Sequence, residues 1–557
     1  MKPVARAALH IGSVALAAFL TVAVTAGLAP ARAEITLDFT ESFALDWHWV
    51  LDDPQILDEA DREDVVDLRN RLNARLKTGD WTFGLRLDMA WFPSPPTSQY
   101  ASDLRPEEVF VTWRSGGWTL TAGDDYLTLG RGLALSLRKF DEVGFATGLR
   151  GVHAGFRTDG FRMRLGVGTT NTVNVDSVEE KLVPDPNDLV FMARLETDAI
   201  DKVRLGVHLV DIERRHSELR NAVTQLYGDD DDDRLQGRRF ERTLIAGASF
   251  EATQLADALD LFAEVGWLTN DETRQTLQGD VDAGQDGLAL YGSASATLGR
   301  WTALLEGKHY DRWRIESTLH PDTATEQGIT QVFPYIAPPS LERIDQRVIN
   351  TTDVSGVRLK VDYSFERNSR GDRNVVFVNN AFFVDAPAQG EWTWHGYLGW
   401  ERTTERGERL LLQAGHRREE APDAVDGGLI RLSMVHLDLD WSKTVAPGVD
   451  LVVHWSHEFR SKNLGADALA DSYTEGTFYL GVNLPPAWSF TAQFEYLTED
   501  NSEHQSFPGA FVQYRPDPGS LVRLFFGRSK GGLKCSGGVC RIFPDFEGVK
   551  LETTLRF

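Results

Sequence analysis

The stretch from Leu68 to Trp91 constrains the fold of this chain more than any other. Along its second half Trp81, Phe83, Leu85, Leu87, Met89 and Trp91 fall on one face, and Thr82, Gly84, Arg86, Asp88 and Ala90 on the other. Along its first half Leu68, Leu72, Ala74 and Leu76 oppose Arg69, Arg71, Asn73, Arg75 and Lys77. A period of two is the signature of β-strand, and Thr78-Gly79-Asp80 between the halves makes them a hairpin. A soluble sheet also buries one face, but it rarely sets Trp at both ends of that face and charge along the other. The pattern suits a wall with lipid outside and water inside. Trp81 and Trp91 are ten residues apart, the length a tilted strand needs to cross a bilayer, which puts each in one interfacial aromatic girdle.

Met1 to Ala33 reads as a secretory signal: Lys2 and Arg6, an apolar run from Ile11 to Leu28, then the cleavage pattern Ala31-Arg32-Ala33. A transmembrane anchor fits less well, because Gly12, Ser13, Thr21 and Thr25 interrupt the run and no basic stop-transfer flank follows. The expected domains are therefore a signal peptide over 1–33 and one barrel over 34–557. Removing the three basic residues of the signal and no acid takes the net charge from −25 to −28, which argues against nucleic acid as a partner. After the signal no apolar stretch is long enough for a spanning helix. Fifteen Trp and forty-nine Gly fit an exported β protein whose strands need interfacial anchors and turns.

The other end repeats the alternation. Val549, Leu551, Thr553, Leu555 and Phe557 alternate with Lys550, Glu552, Thr554 and Arg556. The segment looks like the terminal strand of bacterial outer-membrane proteins, whose final aromatic residue is read by the barrel-assembly machinery; an ordinary edge strand ending in Phe is the plainer reading. Between the ends, short turn-forming connections (78–80, 115–117, 158–160, 298–300, 405–408, 446–448, 485–486, 516–519) alternate with long ones, as in barrels with short periplasmic turns and long outer loops. The expectation is all-β: one closed antiparallel transmembrane barrel of 22–24 strands in the outer membrane of a Gram-negative bacterium, both termini periplasmic. The uncertainty of two strands sits at 118–150 and at the brief connection 385–390.

Candidate functional residues follow from the faces. Arg69, Arg71, Arg75, Arg86, Arg162 and Arg164 should point into the lumen. There they either form a positive ladder that guides anions or pair with inward acids such as Asp88 and Glu196. On later strands His436, Asp438, Asp440, His454, Glu458 and Glu495 should face inward, which makes the lumen electrostatically two-sided. Gly123 to Gly132, continuing through Arg138 to Glu142, is too long and glycine-marked for a simple loop and is expected to fold inward as a constriction, adding Arg131 and Arg138 to the pore-lining candidates. Its Leu129-Gly130-Arg131-Gly132 segment, with the hairpins, resembles the alginate-export type of outer-membrane porin and uncharacterised barrels of that kind. The resemblance implies a porin-like or export channel and anionic, saccharide-like solutes.

The acid run Asp229, Asp230, Asp231, Asp232 and Asp233 is a calcium candidate beside lipopolysaccharide phosphates, but a solvated charge run explains it as well, and it matches no calcium-loop spacing. Cys535 and Cys540, the only cysteines, read as a loop-stapling disulfide in an oxidising compartment. No cofactor is implied, and no nucleophile elbow, H-E-x-x-H or phosphate loop points to an enzyme. Expected partners are outer-membrane lipid and lipopolysaccharide, the assembly machinery through Phe557, and small solutes. The functional expectation is a diffusion or export channel; the alternative is a non-conducting receptor or structural barrel whose loops bind a partner.

Overall fold

The computed structural model describes residues 35–48, 65–91, 103–140, 145–172, 175–176, 181–182, 185, 187–214, 238–276, 279–282, 285–313, 315, 335–336, 339, 353–366, 372–385, 391–422, 429–464, 471–499, 504–536, 539–543 and 545–557. The signal segment 1–33 and the acid run Asp229 to Asp233 lie outside them.

One antiparallel sheet of twenty-six strands contains two short flaps, Lys139–Phe140 and Gly279–Asp282, each hanging on a single neighbour. The other twenty-four run in chain order, each paired with the next, and the last, Phe546–Arg556, pairs with the first, Ile35–His48. The sheet closes, so no edge is left to pair with another chain. At the seam Phe557 N–H donates to the Phe39 carbonyl at 2.9 Å and Phe39 N–H to that of Phe557 at 3.1 Å. The expected 22–24 strands are thus twenty-four. The region 118–150 contributes two wall strands, Trp118–Asp125 and Phe145–Arg157, that pair directly with each other.

All the short turns anticipated from sequence gather at one end of the barrel, joined there by Asp201-Lys202, Ala256-Asp257-Ala258 and the connection 367–372. The long connections share the other end with the brief ones at 386–390, 423–428 and 498–505. In the two-residue turn Gly116-Gly117 both residues take positive φ, +57° and +85°, the hand that matches the twist of the flanking strands.

Register fixes which side chains share a face, because directly opposed residues point the same way. Leu76 faces Phe83, Leu72 faces Leu87 and Leu68 faces Trp91, and this apolar row continues around the exterior through residues such as Val207, Leu290, Leu359 and Phe490, all exposed. Near the short-turn end the row is aromatic: Trp118 sits 4.5 Å from Phe156, Trp301 4.6 Å from Tyr363 and Trp488 4.6 Å from Tyr514, ring centre to ring centre. Trp47, Trp91 and Trp267 mark the opposite rim, Trp267 at 63% exposed. An apolar belt between two aromatic girdles is the exterior of a membrane-spanning barrel. Polar pairs interrupt it, among them Asn70 and Glu41, both pointing outward and joined by a 3.0 Å hydrogen bond from the Asn amide.

The buried apolar core lies inside the barrel. Leu127–Leu129 and Leu135–Leu137 form a two-stranded hairpin in which Leu127, Leu129, Leu133, Ala134, Leu135 and Leu137 are at most 8% exposed. It packs on inward wall residues including Leu149, Val190, Met192, Ile212, Ile245 and Leu268. Burying each leucine of this kind is worth about 1.5–3 kcal/mol, so the hairpin is held by packing on one side of the lumen.

The lumen wall and its inward hairpin, the candidate functional site

The hairpin tip is locked by polar contacts that its glycines permit. Gly130 and Gly132 take positive φ, +58° and +85°, and a Cβ on Gly130 would stand 2.3 Å from Glu264 Oε1. Glu264, buried on the wall, accepts the Arg131 N–H at 2.7 Å, and the Arg131 guanidinium lies 4.6 Å above the Phe262 ring. A second connection meets the hairpin from the long-loop end. Trp313, fully buried, donates its indole N–H to the Leu133 carbonyl at 3.2 Å. Ser136 N–H donates to the Tyr335 carbonyl at 2.6 Å, and the Arg138 guanidinium to that of Ile336 at 3.1 Å. The Tyr335 hydroxyl donates to Asp188 at 2.5 Å; burial and the Asp188 carboxylate push that phenol well above its usual range, so it keeps its proton and goes on donating. The expected inward fold is present over the hairpin Leu127–Leu129 and Leu135–Leu137, whereas Gly123 to Asp125 belong to a wall strand and Asp141 and Glu142 lie outside the described residues. Arg131 and Arg138 act on that hairpin as tethers.

The sequence-derived arginines all lie on the lumen face, but most have acid partners. Arg69 meets Asp46 at 2.6 Å. Arg86, 1% exposed, holds Asp88 through two nitrogens at 2.6 and 2.5 Å and Glu108 through a third at 2.9 Å. Arg71 reaches Asp88 at 3.4 Å, Arg162 reaches Asp198 at 3.1 Å, and Arg194 pairs with Glu196 at 3.0 Å. Arg75 and Arg164 stand apart: both are exposed to the lumen, and neither is in an ion pair among the described residues. Arg75 lies 6.0 Å from the Phe110 ring centre, which occupies the space a side chain at Gly84 would take.

Three further lumen-facing cations share that condition: Lys77, Arg114 and Arg157, each exposed at the short-turn end and in no ion pair among the described residues. The adjoining turn acids Asp80 and Asp159 pair with none of them. Like charges even stand directly opposite one another, Arg157 against Arg162 and Arg164 against Arg194, an arrangement that costs stability in a sheet. One member of each couple is in an ion pair with its own acid, Arg162 with Asp198 and Arg194 with Glu196, while Arg164 has only the more distant Asp125. Sequence reasoning passed over Arg114 and Arg157 because each lies at or next to the end of its strand, beside a turn. The signal was present: each is one residue beyond an outward aromatic, Trp113 or Phe156.

On the far wall the register points Asp438, Asp440, His454, Glu458 and Glu495 inward, opposite outward Leu437, Leu439, Trp455 and Phe494. These acids are engaged: Asp440 with His454 at 2.5 Å, Glu458 with Arg460 at 2.7 Å, and Glu495 accepting from Tyr479 at 3.0 Å. Cys535 and Cys540 are opposed in the ribbon Gly532–Ser536 and Val539–Phe543; their side chains lie outside the described residues.

Strand closure, an apolar belt between aromatic girdles and a charged interior define a membrane-spanning β-barrel of the outer-membrane class. A model described as a family of unknown function, DUF6029, matches residues 11–184 and 463–557. Among solved structures the chain is similar to OpdK of Pseudomonas aeruginosa with vanillate (12% identity, 72% of this chain and 97% of that one, TM-score 0.37). It is likewise similar to OccK2 (OpdF) of the same organism with glucuronate (12%, 80% and 98%, TM-score 0.35) and to the translocation pore of the P pilus usher PapC (8%, 94% and 99%, TM-score 0.36). No curated protein matches.

Proposed function

We propose that this barrel is an outer-membrane channel for small solutes, and that its short-turn mouth, facing the periplasm, prefers anions. The supporting observation is the group Arg75, Lys77, Arg114, Arg157 and Arg164, five inward cations that form no ion pair among the described residues, with Asp38 opposite Arg75 and Asp125 near Arg114 and Arg164 as the acids around them. Their register with other inward residues holds them in the lumen, where the cost of turning one to the lipid face falls from about 2–4 kcal/mol at the midplane to about 0–1 at the interface, and arginine stays charged at any working pH. Width supports conduction. Twenty-four strands spaced about 4.8 Å apart and tilted about 40° give a circumference of about 150 Å and, for a round section, a backbone diameter of about 48 Å. The described inward segments pack on the wall between Phe145 and Asp385, that is, on one side of this space. The hairpin then acts as a fixed constriction that narrows the path toward the charged walls.

The alginate-export resemblance rests on Leu129-Gly130-Arg131-Gly132, which serves here as the anchored tip of that constriction. It adds saccharide acids to the solutes worth testing, as anions the basic mouth would attract. Single-channel recording of the refolded protein in a planar bilayer, under a salt gradient, tests the reading. Discrete conductance with a reversal potential of anion preference supports it. A folded barrel that never conducts favours a receptor whose outer loops bind a partner.

A further inference from the structure

We infer that His395 and His436 form a buried two-histidine site for a first-row divalent metal ion on the lumen wall, a site that does not depend on the channel reading. The residues sit on strands Glu391–Thr403 and Leu429–Ala446, which are separated by Arg409–Pro422. Register places Gly415 of the middle strand between Tyr397 and His436, and Arg417 beside His395. Because Gly415 has no side chain, the rings converge across it: a Cβ there would stand 2.2 Å from His436 Nε2. The two Nε2 atoms are 3.2 Å apart and the ring planes cross at 72°. Two imidazoles on one tetrahedral ion, each bound at about 2.05 Å, hold their nitrogens about 3.3 Å apart. The observed spacing is the same within the width of a bond-length error.

The tautomer also suits a ligand. His436 Nδ1 lies 2.7 Å from Asp438 Oδ2, so Nδ1–H donates to the carboxylate and the lone pair of Nε2 is turned toward His395. Asp438 is itself fixed, accepting from Ser456 Oγ at 2.7 Å and from Gln413 Nε2 at 3.1 Å. A carboxylate on the far nitrogen is the outer support that metal-bound histidines use to fix ring and tautomer. The surroundings tolerate a cation: Arg417 is neutralised by Glu419, and Asp440 is engaged by His454, which leaves Asp438 to balance the charge. Among the described residues no third His, Cys, Asp or Glu completes a closed set, so the remaining ligands of a bound ion would be water molecules admitted with it. An imidazole pair selects zinc, nickel, cobalt or copper over calcium and magnesium. Both rings are 1% exposed, so an ion that replaces the proton shared between them is sheltered from bulk solvent.

The test uses the full-length barrel refolded in detergent, stripped with chelator and titrated with Co2+ and Cu2+, with heat-modifiable electrophoretic mobility as the check on folding. We expect one equivalent of metal bound, with copper showing hyperfine coupling to two nitrogens. His395→Ala and His436→Ala should each lose that equivalent. Asp438→Asn should weaken it about 10–100-fold, and Gly415→Ala, whose Cβ would push the His436 ring aside, should weaken it without removing either histidine. Binding by the wild type no greater than by a folded His395→Ala/His436→Ala double variant would overturn the site and show that the pair is only a hydrogen bond.

Discussion

Neutralising the basic mouth is the perturbation whose size the structure lets us work out. In Arg114→Gln/Arg157→Gln/Arg164→Gln, three of the five lumen cations outside ion pairs are removed, no ion pair is broken, and Asp125 loses two nearby positive charges. A unit charge about 8 Å from the ion path contributes about 0.5 kcal/mol in water, and about 0.2 kcal/mol after one Debye length of screening at physiological salt. Five charges then give about 1 kcal/mol, which enriches monovalent anions about fivefold and depletes cations equally, a ratio of about 25. Two charges give about 0.4 kcal/mol and a ratio of about 4. Since a tenfold concentration ratio corresponds to about 59 mV for one charge, the reversal potential in a tenfold KCl gradient should move toward cation preference by about 25 mV. Arg242→Gln is the control: Arg242 faces outward and is bound to Asp211 at 2.6 Å, so its loss should leave the reversal potential where it was. An unmoved potential in a folded, conducting triple variant would refute the reasoning, as would an equal shift in the control.

Three further outcomes follow from particular contacts. Arg86→Ala leaves Asp88 and Glu108 buried without their shared guanidinium and should destabilise the barrel by about 3–5 kcal/mol in urea unfolding; a loss below about 1 kcal/mol would mean the trio is solvated. Gly130→Val drives a side chain into Glu264 at a positive-φ position and should dislodge the hairpin, raising single-channel conductance or its open-state noise; an unchanged trace would show that the hairpin does not border the path. Cys535 and Cys540 stand opposite each other in register, within the reach of a cross-strand disulfide, so the unreduced, denatured protein should titrate no free thiol, and two free thiols would exclude the bond.

The fold was legible because lipid enforces alternation more strictly than a soluble core does. Leu68 to Trp91 showed both faces outright, and the structure keeps each assignment, Arg69 with Ala90 and Arg71 with Asp88 inside, Leu72 with Leu87 outside. Even an interruption has a physical form: outward Asn70 answers outward Glu41 with a hydrogen bond, satisfying in the belt what lipid would not. The inward hairpin was legible for a related reason. A run with Gly130, Gly132 and leucines between two strands has nowhere to bury its apolar side chains except the lumen.

What the face pattern cannot carry is partnership, because alternation states which side a residue is on and says nothing of what stands across from it. Arg69 and Arg75 are equivalent in sequence, two inward arginines on one strand six residues apart. The neighbouring strand offers each an acid, Asp46 to the first in an ion pair at 2.6 Å and Asp38 directly opposite the second, but Asp38 is shared with Arg556 and Arg75 lies instead beside Phe110. That difference arises from the registers of three separate strands, each fixed by turn lengths elsewhere in the chain. It converts a uniform ladder into arginines whose partners differ one by one, so that Arg162 is paired with Asp198 while Arg164, two residues further along the same strand, is in no ion pair. Strand-end residues such as Arg157 are the hardest to place, since a one-residue shift of the turn would reverse their face. The chemistry of the lumen is therefore a property of register, and a single-residue insertion in the Gly116-Gly117 turn should disturb ion preference more than any one charge substitution on the strands it joins.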